Sequence, residues 1–178
     1  WKMTEENGAV WRSADELLNQ ALRYRTYWKN SGGITVSGGE PLLQIDFMLE
    51  FFKKAKEKGI HTVIDTAGGP FTREEPFFSK FQELMKYTDL LLVDIKHIDN
   101  KYHKVLTGRS NENILDMIRY LSDIKKPIWI RHVLVPERSD KDEYLTRLAD
   151  FIHSLDNVEK VEILPYHTMG IYTVSYTH

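Results

Sequence analysis

Five short apolar segments of this chain carry, at or near their ends, residues that bind charge. Ser37-Gly38-Gly39-Glu40-Pro41 follows the first, Asp65-Thr66 closes the second, and Asp94-Ile95-Lys96 closes the third. Arg131 lies within the fourth, and Pro165-Tyr166-His167 follows the fifth. Glu40 and Asp65 are acceptors for an ammonium group or for hydroxyls. Lys96 and Arg131 neutralise a carboxylate, the arginine with a fork that matches both oxygens. Gly38 and Gly39 lack a Cβ, so a ligand can come close to their backbone. The set has the chemistry to recognise a small zwitterion with polar appendages.

Each member also has an ordinary role open to it. Gly38-Gly39 can be a tight turn, and it fits neither the dinucleotide fingerprint nor the P-loop, because no Gly-Lys-Ser/Thr follows. Asp65-Thr66 can cap a helix. Asp94 and Lys96 can form a surface ion pair of small energetic value. A histidine after a strand is commonly structural. Arg131 alternates with the apolar Trp129 and Val133, so it either meets an anion inside or sits on a solvated face. Polar groups at the same end of several strands point more strongly to a ligand site than any one of them does.

The elements that must deliver these residues can be read from hydrophobic period. Short runs rich in β-branched residues alternate with longer stretches of helical spacing. Ser13-Ala14-Asp15-Glu16 is a capping box, and the helix after it aligns Leu17, Ala21, Tyr24 and Trp28 until Ser31-Gly32-Gly33 stops it. Strands are predicted at Ile34–Val36, His61–Ile64, Leu90–Val93, Ile128–Val135 and Val161–Leu164. Helices are predicted around Met48–Ala55, Phe77–Met85, Tyr102–Leu106 and Ile114–Leu121, and a last one opened by Ser139-Asp140-Lys141-Asp142. Strands separated by helices imply right-handed βα units and a parallel sheet of the α/β class. Reactive groups in such folds gather where the strands end. Periodicity does not say whether the sheet closes into a barrel.

Composition narrows the classes. The 178 residues suit one domain, with 42% hydrophobic and 28% charged residues. A formal net charge of −2 leaves no broad basic footprint, so nucleic acid is not an expected partner. The longest aliphatic run, Leu90–Val93, is far too short to span a bilayer, so no membrane association is expected. There is no cysteine, which excludes disulfides and cysteine-ligated metal within these residues. The histidines include no close pair of the zinc type.

A family resemblance sharpens this. Thr35-Val36-Ser37-Gly38-Gly39-Glu40-Pro41-Leu42 resembles the strand and Gly-Gly-Glu motif that contacts S-adenosylmethionine in radical S-adenosylmethionine enzymes. Gly59–Thr66, Leu92–Lys96, Trp129-Ile130-Arg131 and Leu164–His167 follow in the order and approximate spacing of glycyl-radical activating enzymes of the pyruvate formate-lyase type. Gly-Gly-Glu alone is a weak signal; the ordered set is a strong one.

The resemblance implies a partial parallel (β/α) barrel of the radical S-adenosylmethionine type over residues 1–170, with 171–178 as an atypical tail. It places the cluster loop, Cys-x-x-x-Cys-x-x-Cys, and the strand leading into it before Trp1, so the chain by itself is expected to be inactive. Gly38, Gly39, Glu40, Asp65, Lys96, Arg131 and His167 are implied to bind S-adenosylmethionine and to place the peptide substrate. Asp65, Thr66 and Asp94, with a carbonyl near Leu92, are implied to hold a monovalent cation. The implied reaction is reductive cleavage of S-adenosylmethionine by a 4Fe–4S cluster. The resulting 5′-deoxyadenosyl radical takes hydrogen from a glycine of pyruvate formate-lyase. A flavodoxin-like electron donor, a monomeric state and a cytoplasmic location go with it. The cofactor carries the hard chemistry, and the protein supplies orientation. The alternatives are an activase of another glycyl radical enzyme, which often carries a ferredoxin-like insert for which Ser13–Ser31 leaves no room, and a non-catalytic α/β anion-binding module.

Overall fold

Ser13 and Glu16 form the capping box their spacing predicts. The Glu16 amide donates to Ser13 Oγ at 3.2 Å, and the Ser13 amide donates to Glu16 Oε2 at 2.8 Å. The computed structural model describes residues 12–28 and 32–165. In it helix α1 runs Ala14–Leu22 and ends sooner than the sequence pattern predicts. Arg25–Tyr27 forms a 3₁₀ turn instead, Tyr24 is 57% exposed, and only Trp28 returns to pack on the core. The segment after Leu22 has no aliphatic residue to continue the buried face. Ser31, read as part of the helix stop, lies outside the described residues.

Strand β1 (Gly33–Val36) leads through the Gly38-Gly39 turn and a 3₁₀ segment (Pro41–Gln44) into α2 (Ile45–Glu57). Then come β2 (His61–Thr66), α3 (Phe77–Lys86) and β3 (Leu90–Asp94). Helices α4 (Asn100–Thr107) and α5 (Glu112–Asp123) precede β4 (Ile128–Leu134), and α6 (Asp142–His153) precedes β5 (Val158–Pro165). All predicted strands form, and β5 begins earlier than its apolar run. No helix among the described residues is long and apolar enough to cross a membrane.

The sheet order is β1-β2-β3-β4-β5, and every pairing is parallel. That order answers the question periodicity left open. A doubly wound sheet reverses direction at a switch point, whereas this one advances strand by strand. With right-handed crossovers it is a segment of a (β/α) barrel.

The two faces of the strands divide the work. On β4, Ile128, Ile130 and His132 are buried, while Trp129, Arg131 and Val133 are only partly so. The buried set joins a core built from Phe51 and Phe52 on α2, Phe81 and Leu84 on α3, and Met117, Ile118 and Leu121 on α5. Burying each such side chain contributes about 1.5–3 kcal/mol. The less buried face carries Asp65, Asp94 and Arg131, so a packed core on one side supports a polar surface on the other.

One predicted helix start shifts. Lys141 is the N-cap of α6 and makes no side-chain cap bond. Ser139 is buried instead at the end of β4, where its hydroxyl donates to the Val133 carbonyl at 3.0 Å and accepts from the Val135 amide at 2.9 Å. Buried backbone groups at a strand end need partners, and this demand outweighs capping.

Candidate functional site

Asp94 and Arg131 are register partners on β3 and β4, and Asp65 lies on β2 on the same side of the sheet. Nε of Arg131 donates to Asp94 Oδ1 at 3.0 Å, and its Nη2 donates to Asp65 Oδ1. Lys96 Nζ takes the other oxygen of Asp94 at 2.8 Å. Two carboxylates and two cations from three successive strands thus form one network. Burial alone would lower the Arg131 pKa, but the charges of Asp94 and Asp65 outweigh it and hold the guanidinium above its usual value. Arg131 thus combines the two readings left open for it: it lies on the less buried face of the sheet, and the anions it meets there belong to the protein.

The Gly38-Gly39-Glu40 turn is seated beside this network. Gly38 and Gly39 adopt φ of +89° and +55°, the left-handed region where glycine carries no Cβ penalty. Glu40 Oε1 accepts from the Leu42 amide at 3.1 Å and from Thr66 Oγ1 at 2.5 Å, and Oε2 accepts from the Ala67 amide at 3.0 Å. The sequence reading had this carboxylate facing a ligand. The structure spends most of its acceptor capacity on the protein, where it ties the end of β1 to the end of β2. Thr66 does not cap a helix, since α3 begins at Phe77; its oxygen accepts from the Gly68 amide at 2.8 Å.

A cavity of about 230 Å³ opens between these groups and helices α4 and α5. Gly39, Glu40 and Lys96 line one side, and Thr107, Arg109 and Asn113 line the other. A second cavity of about 260 Å³, lined by Leu106, Val133 and Val135, shares Lys96 and Thr107 with it. Lys96 therefore stands where the two meet. An ammonium has three donors, and one is used on Asp94. The remainder are available to an anion entering either cavity.

Of the residues singled out from sequence, Gly39, Glu40 and Lys96 line the first cavity, with Gly38 next to Gly39 in the turn. Thr66 joins them through Glu40, and Asp94, Arg131 and Asp65 join through Lys96. His167 and the tail 171–178 lie outside the described residues. Three buried histidines escaped the sequence reading: His97, His103 and His132, at 0%, 2% and 3% exposure. His97 Nδ1 accepts from the Asp99 amide at 2.9 Å, and burial holds its pKa below the ordinary value. Burial does the same to His103, which lines the first cavity. The α4–α5 wall was also missed, because its facing depends on packing and no motif marks it.

The residues present suit an amino-acid-bearing sulfonium cofactor: a glycine turn free of side chains, a lysine with spare donors, and carboxylates fixed nearby. They do not suit a metal cluster. The chain has no cysteine, and among the described residues no group of three or more His, Asp or Glu side chains is placed to hold a metal ion.

The family model described as the radical SAM superfamily matches residues 1–149. The chain belongs to that superfamily. Its curated relatives include the pyruvate formate-lyase-activating enzyme of Listeria monocytogenes, 52% identical over 162 residues, which are 90% of this chain and 65% of that protein. The enzyme of the same name from Staphylococcus epidermidis is 53% identical over 173 residues, 97% of this chain and 68% of the relative. The chain therefore spans about two thirds of the length of these relatives. Among solved structures, a domain of pyruvate-formate lyase-activating enzyme from Bacteroides vulgatus is similar with a TM-score of 0.68 and 31% identity, covering 77% of this chain and 82% of that one. Streptococcus suis SuiB bound to S-adenosylmethionine has a TM-score of 0.69 at 17% identity, covering 93% of this chain and 39% of that one, a likeness of fold alone.

Proposed function

We propose that this chain is the barrel portion of a pyruvate formate-lyase-activating enzyme, which installs a radical on a glycine of its partner. The observation that carries this reading is that Gly39 and Glu40 share one cavity with Lys96, which the Asp94–Arg131–Asp65 network holds, in a chain about half identical to proteins of that name. When bound, S-adenosylmethionine with a reduced 4Fe–4S cluster supplies hydrogen-atom abstraction from a glycine α-carbon.

The roles of this chain's residues follow from their contacts. The backbone of Gly38 and Gly39 faces the cofactor's ammonium end, and Glu40 holds that turn in place rather than binding the ligand directly. Lys96 neutralises the carboxylate. Arg131 fixes Asp65 and Asp94, which take up hydroxyl or cationic groups; His167 closes the set. Fixing the reacting atoms before the chemical step is the protein's share of catalysis. The cluster ligands lie outside this sequence, which has no cysteine. We extend the reading to a monovalent cation on Asp65, Thr66 and Asp94, whose oxygens are hard donors of the right class. Pyruvate formate-lyase as substrate, a flavodoxin-type electron donor, a monomeric enzyme and a cytoplasmic location complete it.

The test uses the full-length protein containing this chain, with its cluster reconstituted. Incubation with S-adenosylmethionine, a reductant and pyruvate formate-lyase should yield a glycyl radical signal by electron paramagnetic resonance. A signal only with a different glycyl radical enzyme would reassign the partner. Absence of S-adenosylmethionine cleavage with every partner would overturn the reading.

A further inference from the structure

The turn that presents Gly38 and Gly39 is held by very little. Beyond the adjacent residues of the chain, no atom lies within 4 Å of where a Cβ would stand on either glycine. Its seat is the Glu40 carboxylate, which rests on the Thr66 hydroxyl and the Ala67 amide. That seat is only as firm as the segment 67–70 that follows β2. Helix α5 holds this segment at two successive residues. Asn113 donates from Nδ2 to the Gly69 carbonyl. Gly68, at φ +71°, lies so close to α5 that a Cβ there would stand 2.7 Å from Met117 Cε.

We infer that Asn113 is a positioning residue for cofactor binding, acting through Gly69 and Ala67 on Glu40 and so on the Gly38-Gly39 turn. The chain of contacts is short and continuous. Asn113 fixes the Gly69 carbonyl, Gly69 follows Ala67 by two residues, and the Ala67 amide carries one oxygen of Glu40. The Gly68 amide closes the same segment on Thr66 Oγ1 at 2.8 Å, and Thr66 carries the other oxygen of Glu40. Asn113 also lines the cavity shared by Gly39, Glu40 and Lys96, so the brace stands in the wall of the site it organises. The local sequence supports the division of labour. Asn111 sends its amide to the carbonyls of His97 and Ile98, both at 2.9 Å, while Asn113 in the first α5 turn hydrogen-bonds the β2 loop and its neighbour Ile114 packs against Gly68.

This inference rests on the proposed function in one respect, that the turn is where S-adenosylmethionine binds. The test therefore has two readouts on the full-length, cluster-reconstituted protein. The first is hydrogen exchange of the Ala67 and Gly68 amides, which reports the brace itself. The second is the dissociation constant for S-adenosylmethionine by calorimetry. Asn113→Asp keeps the shape but removes the donor and sets an oxygen against the Gly69 carbonyl. It should speed exchange at both amides and weaken S-adenosylmethionine binding about tenfold, as loss of one hydrogen bond allows. Asn113→Gln, which keeps the donor, should recover most of the affinity.

Asn157→Ala separates positioning from general stability. Asn157 donates to the Lys126 carbonyl at 2.6 Å, at the opposite end of the strands. Its loss should lower the melting temperature while leaving both readouts unchanged. If Asn113→Asp does not fold, Asn113→Ser is measured in the same way. Unchanged exchange at Ala67 and Gly68 together with an unchanged dissociation constant would overturn the inference. If Glu40→Ala also left affinity unchanged, the turn would not be the cofactor site and the proposed site would fall. The exchange readout would then still decide whether Asn113 holds the turn.

Discussion

Arg131 and Asp94 face each other in register on neighbouring strands, and Nε of the arginine donates to the aspartate at 3.0 Å. The same guanidinium also reaches Asp65, one strand further on. Each of these three side chains is only 20–23% exposed, so water screens them poorly. A lysine at this position would bring a point charge that cannot fork between two carboxylates.

Replacing Arg131 by methionine should therefore cost stability as well as ligand affinity. It leaves Asp65 and Asp94 half-buried with Lys96 as their nearest balancing charge. Loss of one partner from such a group should cost about 1–3 kcal/mol, below the figure for full burial. Urea denaturation measures it. Adding Asp65→Asn to Arg131→Met should recover part of the loss, and strict additivity of the two changes would show that the network is not energetically coupled.

Glu40 offers a contrasting case, because its carboxylate accepts from groups that neither gain nor lose charge. Glu40→Gln keeps one acceptor but turns an NH₂ toward the Thr66 hydroxyl or the Ala67 amide. Affinity for S-adenosylmethionine should fall by about tenfold, since at least one of the hydrogen bonds that seat the turn is lost. The Arg131–Asp94 network should remain, so unfolding should shift less than in Arg131→Met. Equal losses of stability in the two variants would contradict this division.

The contrast also shows what sequence can convey. Strand positions were legible because apolar runs such as Leu90–Val93 are short and bounded by turn residues. From them followed the gathering of Gly39, Glu40, Asp65, Asp94 and Lys96 at one end. Partner choice was not legible. Glu40 is an acceptor in any arrangement, and only the approach of the 67–70 segment decides that protein amides occupy it. Barrel-like winding was likewise hidden, because strand order depends on how helices pack and not on the period within each strand. Asn113 and the buried histidines fall in the same class: ordinary helix and strand residues whose surroundings give them their roles.

The glycine turn can be tested without any ligand. At Gly38 and Gly39 the space around a Cβ is open, so alanine substitution meets a backbone penalty and no clash. Gly39, at +55°, lies where left-handed residues cost about 1–2 kcal/mol, and asparagine should be tolerated there better than alanine. Gly38, at +89°, lies further from that well and should be the costlier site. Denaturation of Gly38→Ala, Gly39→Ala and Gly39→Asn gives the order. Equal stability in all of them would mean the turn relaxes freely and is not held by Glu40.

Acid should loosen the segment that carries Lys96. His97 follows it directly, is fully buried, and packs against the rings of Tyr102 and Tyr144 at centroid distances of 5.3 and 4.5 Å. Its Nδ1 accepts from the Asp99 amide, so a proton there would displace a hydrogen bond inside the protein. Burial lowers the pKa of His97 and of His103 below the ordinary 6.5. In the unfolded chain both take up protons as pH falls through that value, while the folded protein resists. The unfolded state then binds more protons, and stability falls with decreasing pH. The urea midpoint should be flat with respect to these groups above about pH 7 and decline below about 6.5. Carboxylates such as Asp99 and Asp116, whose pKa values are lowered chiefly by Arg147 and Arg73, add their loss at more acidic pH. His97→Gln should flatten the slope just below about pH 6.5 without changing the more acidic limb set by the carboxylates. An identical slope in the variant would show that His97 is protonated in the folded protein as readily as in the unfolded chain, and burial would then not be what sets its charge.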